Sequence, residues 1–294
     1  MKDLFKIIFM ICLVLIVYLF RDNISTFIVD EIIYKGSNSV LTYNEYYNDH
    51  DFLYVQNIDK NYVENYNEVL NMFYSIINSG DDSFSFRCKY ENCMTDITNL
   101  IDEKEIIANI NNFVHPYNSY ANINIKTKGD KITVKINKAY NEKQIEYINN
   151  YIDNFINNNI DDSMSNYDKI KLFHDYVVNN TVYDENNKST SYSSYAYDLI
   201  TTGKSICGGY SDIMSIYLNK LGLLNYKITS PNHVWNFVNL DNTWYHIDVT
   251  WDDPVASDGK QYLIHNFFMI STEELLKLDE IEHNFNKDIY LEAK

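Results

Sequence analysis

The chain has 294 residues, with 41 acidic and 24 basic side chains and therefore a formal charge of −17. Apolar residues make up 46% of it, which is enough for a sizeable core and excludes a disordered or collagen-like chain. The acidic balance argues against nucleic acid and anionic lipid headgroups as partners, because phosphate contacts require clustered lysines and arginines.

The N-terminal segment predicts where the protein resides. Ile7 to Phe20 is an unbroken apolar run, preceded by Lys2 and Lys6 and followed by Arg21. The run suits the core of a signal peptide, but no small-x-small cleavage site follows it, which favours an uncleaved anchor. We therefore expect residues 1–21 to form a single-pass membrane anchor, with the short N-terminus inside and the remaining chain outside the cytoplasm. The alternatives are a cleaved signal peptide, which gives a secreted protein, and a buried N-terminal helix.

Residues 22–60 are polar and weakly patterned, and we predict a linker with a few short elements. Residues 61–160 predict a small α+β module with a structural or substrate-orienting role. Its predicted elements are a helix over Tyr62–Ile77 stopped by Gly80, a hairpin over Ala121–Tyr140, and a helix over Gln144–Ile160. Cys88 and Cys93 lie five positions apart in this module, and the sequence leaves open whether they form a disulfide or are buried unpaired.

A shift in composition near Asp161 marks the start of a second unit, predicted over residues 161–294. Apolar residues at helical spacing predict a helix over Tyr167–Asn179. His174 lies on this helix. A histidine in such a place is usually a core or edge residue with satisfied hydrogen bonds, so we expect no catalytic role for it.

Cys207 is predicted to begin a helix. Apolar residues recur at helical spacing from Tyr210 to Leu221, and Gly222 ends the pattern. The free amides and positive potential of a helix N-terminus favour a thiolate over a thiol. Gly208 and Gly209 follow directly, and we expect them to leave the backbone open, so that a carbonyl substrate reaches the sulfur and nearby N–H groups hold an oxyanion. A buried cysteine at an ordinary helix start is the alternative.

Two β-rich runs, 233–240 and 243–250, flank the two-residue hairpin signal Asp241-Asn242. That turn places His233 diagonal to Asp248 on the same face of the sheet. Diagonal neighbours lie ~7–8 Å apart at the backbone, close enough for a carboxylate to reach an imidazole. The spacing therefore predicts an acid–base pair. The same register pairs Leu240 with Thr243, Phe237 with His246, and Trp235 with Asp248.

Two alternatives concern the same hairpin. His246 competes for the role of base, because it shares a strand with Asp248, but the cross-strand diagonal favours His233. The acids of Trp251–Pro254 also permit a metal site together with Asp248. An acid pair before proline is more typical of a turn, and no histidine completes an evident ligand set. We therefore predict neither a metal nor a cofactor.

Three blocks of sequence resemble the bacterial transglutaminase-like superfamily, and they occur in that family's order of Cys, His and Asp. The blocks are Ile206–Tyr210, His233–Asn236 and Trp244–Pro254. The similarity to the family extends over roughly Tyr167 to Phe285. The resemblance implies an α+β fold with a papain-like core, in which a nucleophile helix packs on an antiparallel sheet. In this chain the core is expected to follow the small α+β module and the N-terminal membrane helix.

The resemblance also implies an active site and a reaction. By motif position, Cys207 is the nucleophile, His233 the general base and Asp248 its orienting partner. Further candidates for substrate or oxyanion contacts are Gly208, Tyr195 and Trp235. The implied reaction is acyl transfer from an amide bond of a protein or peptide, without a cofactor. Water as acceptor gives a peptidase or amidase, which we favour, and an amine gives a crosslinking transglutaminase. The rival class is a non-catalytic cell-surface binding module that retains the fold.

Overall fold

The structure, a computed structural model, describes residues 40–185, 194–255 and 261–294, together with Met10 and Tyr18. Those two residues aside, the predicted membrane anchor and the first part of the predicted linker lie outside the described residues. Within the described parts of the chain, no helix is both long enough and apolar enough to cross a membrane.

The N-terminal part combines a mixed sheet with helices, as predicted. Its elements are β1 (Tyr62–Val63), α1 (Tyr66–Ser79), β2 (Ser83–Cys88), α2 (Cys93–Asp102), α3 (Lys104–Asn111), β3 (Tyr120–Lys128) and β4 (Lys131–Lys138). The strand order is β1-β2-β4-β3. β1 runs parallel to β2, and the other neighbours are antiparallel.

The helix predicted over Tyr62–Ile77 starts four residues later, because its first two residues form β1 and pair with β2. Asn65 caps the helix by accepting a hydrogen bond from the backbone N–H of Glu68. The helix ends at Gly80, which has the left-handed conformation of a glycine stop, with φ 81°. The hairpin predicted over Ala121–Tyr140 is formed by β3 and β4.

Residues 40–60 contain no helix or strand, yet they are not a free linker. Leu41, Phe52 and Val55 are buried in the core that also holds α1 and the first sheet. The linker prediction is therefore wrong for this stretch. Isolated apolar residues without a regular spacing carry its packing, and such residues produce no helical or strand pattern in the sequence.

Cys88 and Cys93 form a disulfide, which selects one of the two alternatives that the sequence left open. It joins the end of β2 to the start of α2, and the two Cα atoms lie 5.7 Å apart. This separation lies within the range that a disulfide requires.

The second part holds the elements expected of the papain-like core. They are α4 (Glu142–Asn159), α5 (Asn166–Asn180), β5 (Val182–Tyr183), α6 (Ala196–Thr202), β6 (Lys204–Ser205), α7 (Cys207–Lys220), β7 (Asn225–Thr229), β8 (Val234–Leu240), β9 (Thr243–Ile247), β10 (Phe268–Ile270), α8 (Thr272–Leu278) and α9 (Glu280–His283). The main sheet is antiparallel, with order β10-β9-β8-β7. The helix that begins with Cys207 packs on β7 and β8, so the predicted α+β arrangement is confirmed.

The antiparallel sheet is buried on both faces. Val238 and Leu240 of β8 pack with the helices of the second part, whereas Trp235 and Phe237 point the other way and join the N-terminal core. The carbonyl of Asn112, at the end of α3, accepts a backbone N–H from β7 at 3.0 Å. The N-terminal part therefore covers the back of the sheet that carries the predicted acid–base pair.

The predicted boundary at residue 160 is not a break in packing. Phe155 of α4 lies before it, yet its ring packs with Phe173 of α5 and Tyr217 of α7, at centroid distances of 4.9 and 6.0 Å. α4 therefore belongs to the second core. Helical spacing shows that a helix has an apolar face, but it does not show which core that face joins.

The β8–β9 hairpin has the predicted register. Leu240 pairs with Thr243 and Phe237 pairs with His246. Both turn residues have positive φ, 53° at Asp241 and 63° at Asn242, as a two-residue turn of this kind requires. The predicted pairing of Trp235 with Asp248 does not form, because β9 ends one residue before Asp248 and the next backbone N–H bonds to the carbonyl of Phe267 instead.

A buried ion pair supports the helix that begins with Cys207. Lys227 of β7 donates from Nζ to Oδ1 of Asp212 in α7 at 2.6 Å, and the two side chains are 11% and 5% exposed. The hydroxyl of Tyr140 donates to the other oxygen of this carboxylate and accepts the N–H of Ala196 at 2.9 Å. The network joins α7 to the sheet and to the start of α6.

Lys227→Met should lower the free energy of unfolding by about 3–5 kcal/mol, because it leaves the Asp212 carboxylate buried without its cation. Urea unfolding followed by circular dichroism measures the loss. Lys220→Met is the matched control, since Lys220 pairs with Asp153 at 2.9 Å while both side chains are substantially exposed, and it should cost about 0–1 kcal/mol. Equal losses in the two variants would contradict a special role for the buried pair.

Candidate active site

Cys207 is the first residue of α7, as predicted, and it is half-buried. Of the cysteines in the described residues, it is the one outside a disulfide. The preceding residue, Ile206, is extended, so the helix starts at the thiol. The sulfur therefore lies where the first helical amides point.

The two glycines after Cys207 have a different role from the one expected. A Cβ on Gly208 would lie 2.7 Å from the carbonyl oxygen of Ser194, and one on Gly209 would lie 2.1 Å from Oγ of Ser205. The segments that hold Ser194 and Ser205 pack too closely against the two glycines to leave room for a side chain. The glycines therefore serve the packing of the helix start, and the expectation that they open a path for substrate is corrected.

His233 and Asp248 lie together, as the hairpin spacing predicts. His233 Nε2 and Asp248 Oδ2 form a short hydrogen bond, and both side chains are buried. Burial alone would lower the pKa of His233, but the negative charge and hydrogen bond of Asp248, helped by a hydrogen bond with Cys207, raise it to about 10. The imidazole thus bonds to the carboxylate and lines the same cleft as the thiol, so the three predicted triad residues lie at one site.

The Asp248 carboxylate has a complete set of hydrogen bonds. Its Oδ1 accepts the backbone N–H groups of Thr250 and Trp251 at 3.0 and 3.1 Å. Its Oδ2 also contacts Nε2 of His283 at 2.9 Å. Burial would raise the pKa of Asp248, but the charge and hydrogen bonds of the two histidines hold that pKa below its usual range.

Sequence reasoning missed His283 as a member of this site. The signal available was a histidine four residues after Asp279, which places the two on one side of the short α9. Nothing local indicates that the same ring reaches a carboxylate 35 positions earlier in the chain. That contact depends on how α9 packs against the sheet.

His246, the alternative base, does not take part. Its Nδ1 accepts the indole N–H of Trp235 at 3.0 Å, and its Nε2 contacts the hydroxyl of Thr272 at 2.8 Å. Burial lowers the pKa of His246 to about 3, and the nearby charge of His283 acts in the same direction. The ring is therefore a neutral part of the core.

A cleft of about 550 Å³ opens above the thiol. Its lining residues are Tyr183, Glu185, Ile206, Cys207, Asn232, His233, Thr250, Trp251, Asp253, Pro254, Val255 and Glu282. Tyr183 and Trp251 are aromatic lining residues that sequence reasoning did not select as site residues, although Trp251 belongs to the third sequence block.

The three residues predicted to contact substrate or oxyanion do not line this cleft. Trp235 lies behind His233, and the two rings stack with centroids 5.6 Å apart, so it supports the imidazole. The ring of Tyr195 packs on Tyr140 at 5.6 Å. Gly208 faces the Ser194 backbone. Residue type and position in a motif did not predict whether these three residues face the cleft.

His174 is a buried core residue, as predicted. Its ring lies between two carboxylates, 3.0 Å from Asp175 and 3.1 Å from Asp252. Asp252 also accepts the backbone N–H of Phe267 at 3.0 Å, and Asp253 accepts the hydroxyl of Tyr210 at 2.6 Å. These two acids therefore pair with protein groups of their own and do not join Asp248 in a ligand set.

Two groups of side chains have donor atoms close enough to hold a metal ion, within the part of the chain that the structure describes. One comprises His174, Asp175 and His265. The ammonium of Lys171 lies 2.6 Å from Asp175 and 3.0 Å from His265, so a positive charge already occupies this position. The other comprises His233, Asp248 and His283, whose donor atoms bond to one another.

Part of the chain that holds this site matches the sequence model of a known protein family. Residues 153–249, which include Cys207, His233 and Asp248, match the sequence model of the Transglutaminase-like superfamily. The match spans about a third of the chain and begins within α4, which packs with the second core. A comparison with curated proteins finds no match.

Three solved structures are similar to parts of this chain. A TGase is 22% identical, with a TM-score of 0.28, over 45% of this chain and 44% of its own. A candidate cysteine protease from Cytophaga hutchinsonii is 13% identical, with a TM-score of 0.29, over 49% of this chain and 65% of its own. Menin, in a structure that reveals its binding site for Mixed Lineage Leukemia protein, is 15% identical, with a TM-score of 0.31, over 42% and 29%. The alignments span less than two thirds of each of these proteins.

Proposed function

We propose that the protein is a thiol-dependent enzyme that transfers acyl groups from amide bonds of proteins or peptides. The observation that carries this proposal is the position of His233, which bonds to Asp248 and lines the same cleft as Cys207. In such an arrangement the imidazole takes the proton of the thiol while the carboxylate fixes the orientation of the ring. The match of residues 153–249 to the Transglutaminase-like superfamily model supports the same class of reaction.

The first half of the reaction forms a thioester. The proton of the Cys207 thiol passes to His233, and the thiolate attacks the carbonyl carbon of the amide. The backbone amide of Cys207, the first of α7, stabilises the carbonyl oxygen as it becomes anionic. His233 then gives its proton to the leaving amine as the C–N bond breaks, and the acyl group remains on sulfur.

Water completes the reaction in the function that we favour, a peptidase or amidase. His233 takes a proton from water, the hydroxide attacks the thioester, and the S–C bond breaks to give a carboxylic acid and the free thiol. Cys207 is half-buried and lines an open cleft, so solvent reaches the thioester.

The charge of the cleft supports a crosslinking transglutaminase as a second candidate. Glu185, Asp253 and Glu282 line it, and its described lining residues include neither lysine nor arginine. Negative charge around a cleft attracts cations. A lysine side chain or another primary ammonium group would therefore be concentrated next to the thioester that it must attack after losing a proton.

Mass spectrometry of a peptide library incubated with the wild type and with Cys207→Ala tests both candidates. A fluorescent primary amine is added to report transamidation. We expect peptides with new ends or deamidated side chains that depend on Cys207, with little incorporation of the amine. Predominant incorporation would establish the transglutaminase, and no change that depends on Cys207 would favour the non-catalytic binding module.

We further propose that residues 1–21 anchor the protein in a bacterial cell membrane with the catalytic part outside, or that they are cleaved to release it. The Cys88–Cys93 disulfide supports an extracytoplasmic location, because disulfides persist in oxidising compartments. In intact cells, a membrane-impermeant maleimide should label Cys207, with Cys207→Ala as the control. Label in the membrane fraction indicates the anchor, and label in the medium indicates cleavage. Labelling only after lysis would contradict the location.

A further inference from the structure

His283 makes a second imidazole contact to the carboxylate of the proposed triad. Its Nε2 lies 2.9 Å from Oδ2 of Asp248, the same oxygen that bonds to His233. Its Nδ1 lies 3.0 Å from Oδ2 of Asp279. The rings of His233 and His283 have centroids 5.3 Å apart. Because His283 and Asp248 are buried, water does not compete for the bond between them, whereas the Asp279 side chain is 15% exposed.

Both ring nitrogens of His283 therefore need a proton. A carboxylate oxygen only accepts hydrogen bonds, and a neutral imidazole carries a hydrogen on one nitrogen alone. Since each nitrogen faces a carboxylate, the ring satisfies both bonds only as an imidazolium cation. The ring of Phe267 favours the same form, because it stacks on His283 with centroids 5.3 Å apart and the face of an aromatic ring attracts a cation. The rings of Trp235 and Trp251 make T-shaped contacts with His283, at centroid distances of 4.9 and 5.1 Å.

We propose that His283 is a positioning residue of the active site, a buried cation that fixes the Asp248 carboxylate and weakens its hold on the proton of His233. This inference rests on the proposed function. Carboxylate and imidazole groups then alternate from α9 to the cleft. They are Asp279, His283, Asp248 and His233, joined by hydrogen bonds, and His233 lines the cleft with Cys207.

The His283 cation helps the step in which His233 must release its proton to the leaving amine. A positive charge close to an imidazolium favours loss of the proton, whereas the negative charge of Asp248 opposes it. The titratable groups that face His283 are the carboxylates of Asp248 and Asp279, the His233 ring at a centroid distance of 5.3 Å, and the neutral ring of His246. His283 does not line the cleft, so it acts on the chemical step and leaves substrate binding unchanged.

His283→Gln tests the inference, because glutamine retains an amide N–H that can reach Asp248 but carries no charge. The readout is the rate at which iodoacetamide alkylates Cys207, measured against pH on the Cys207 peptide by mass spectrometry. Loss of a nearby cation should move this pH profile to higher pH by about one unit or more. With an amide substrate, kcat should fall while KM stays unchanged.

His174→Gln is the matched control. His174 is also fully buried and also lies between two carboxylates, Asp175 and Asp252, but it does not contact Asp248. The same substitution there should leave the pH profile in place, even if the variant is less stable. A shift of equal size in this control would show that loss of packing, and not loss of the cation, moves the profile.

A His283→Gln profile that superimposes on that of the wild type would overturn the inference and leave the proposed function intact. Slow alkylation of the wild type itself at about pH 6 would instead contradict the proposed function. If His283→Gln does not fold, 15N spectra of the histidine side chains of the wild-type protein replace it. Two protonated ring nitrogens on His283 at neutral pH support the inference, and a neutral tautomer overturns it.

Discussion

Cys207→Ala is expected to reduce turnover of an amide substrate by about 10⁴–10⁶-fold, because no covalent intermediate can form without the sulfur. Cys207→Ser should lose most of the activity too, since a hydroxyl remains un-ionised at neutral pH and is a weaker nucleophile than a thiolate. Turnover is measured on a peptide substrate identified with the wild type.

The control for this prediction is the fold. Cys207 is half-buried at the start of α7, and its replacement by alanine removes only the thiol group. Circular dichroism and urea unfolding should therefore resemble those of the wild type. Turnover that persists in a folded Cys207→Ala protein would exclude the thioester mechanism.

Asp248→Asn is expected to lower kcat/KM by about 10³–10⁴-fold, the size of loss seen when the acid of a comparable triad is replaced by its amide. Asparagine carries no charge to stabilise the His233 imidazolium, and its amide group can impose the wrong tautomer on the ring. Asp252→Asn is the control, because Asp252 is equally buried but bonds to His174. Asp252→Asn should change kcat/KM little. If Asp248→Asn lowered kcat/KM no more than Asp252→Asn does, the role assigned to Asp248 would be contradicted.

The same variant should change how stability depends on pH. The pKa of His233 is raised from 6.5 to about 10, so its pairing with Asp248 stabilises the fold fully below pH 6.5, and this stabilisation is lost as the pH rises through about 10. The lowered pKa of Asp248 acts at the acid end, where the stabilisation is lost as the carboxyl group becomes protonated. Urea unfolding should therefore separate the wild type from Asp248→Asn most clearly near pH 6 and least above pH 10.

Local patterns were sufficient to place the three proposed catalytic residues, and the resemblance to a known family supplied their roles. Helical spacing bounded by Gly222 placed Cys207 at a helix start, where the structure has it. The turn at Asp241-Asn242 set the strand register, and that register brings His233 next to Asp248. Turn chemistry and periodicity act over a few residues, so both can be read from one sequence.

Contacts between distant elements could not be predicted in this way. Trp235 was assigned to the substrate, but it lies in β8 with its ring stacked on that of His233 and packed in the N-terminal core. His283 reaches Asp248 only because α9 folds back onto the end of the sheet. The buried apolar residues within 40–60 likewise lack a regular spacing from which their burial could be predicted.

The alkylation of Cys207 by iodoacetamide at about pH 6, compared between the wild type and His233→Ala, tests most directly whether the imidazole activates the thiol. We predict fast alkylation of the wild type and a rate at least about tenfold lower in His233→Ala, because the thiolate loses its imidazolium partner. Equal rates in the two proteins, or a wild-type rate no faster than that of an ordinary exposed cysteine, would contradict the proposed active site.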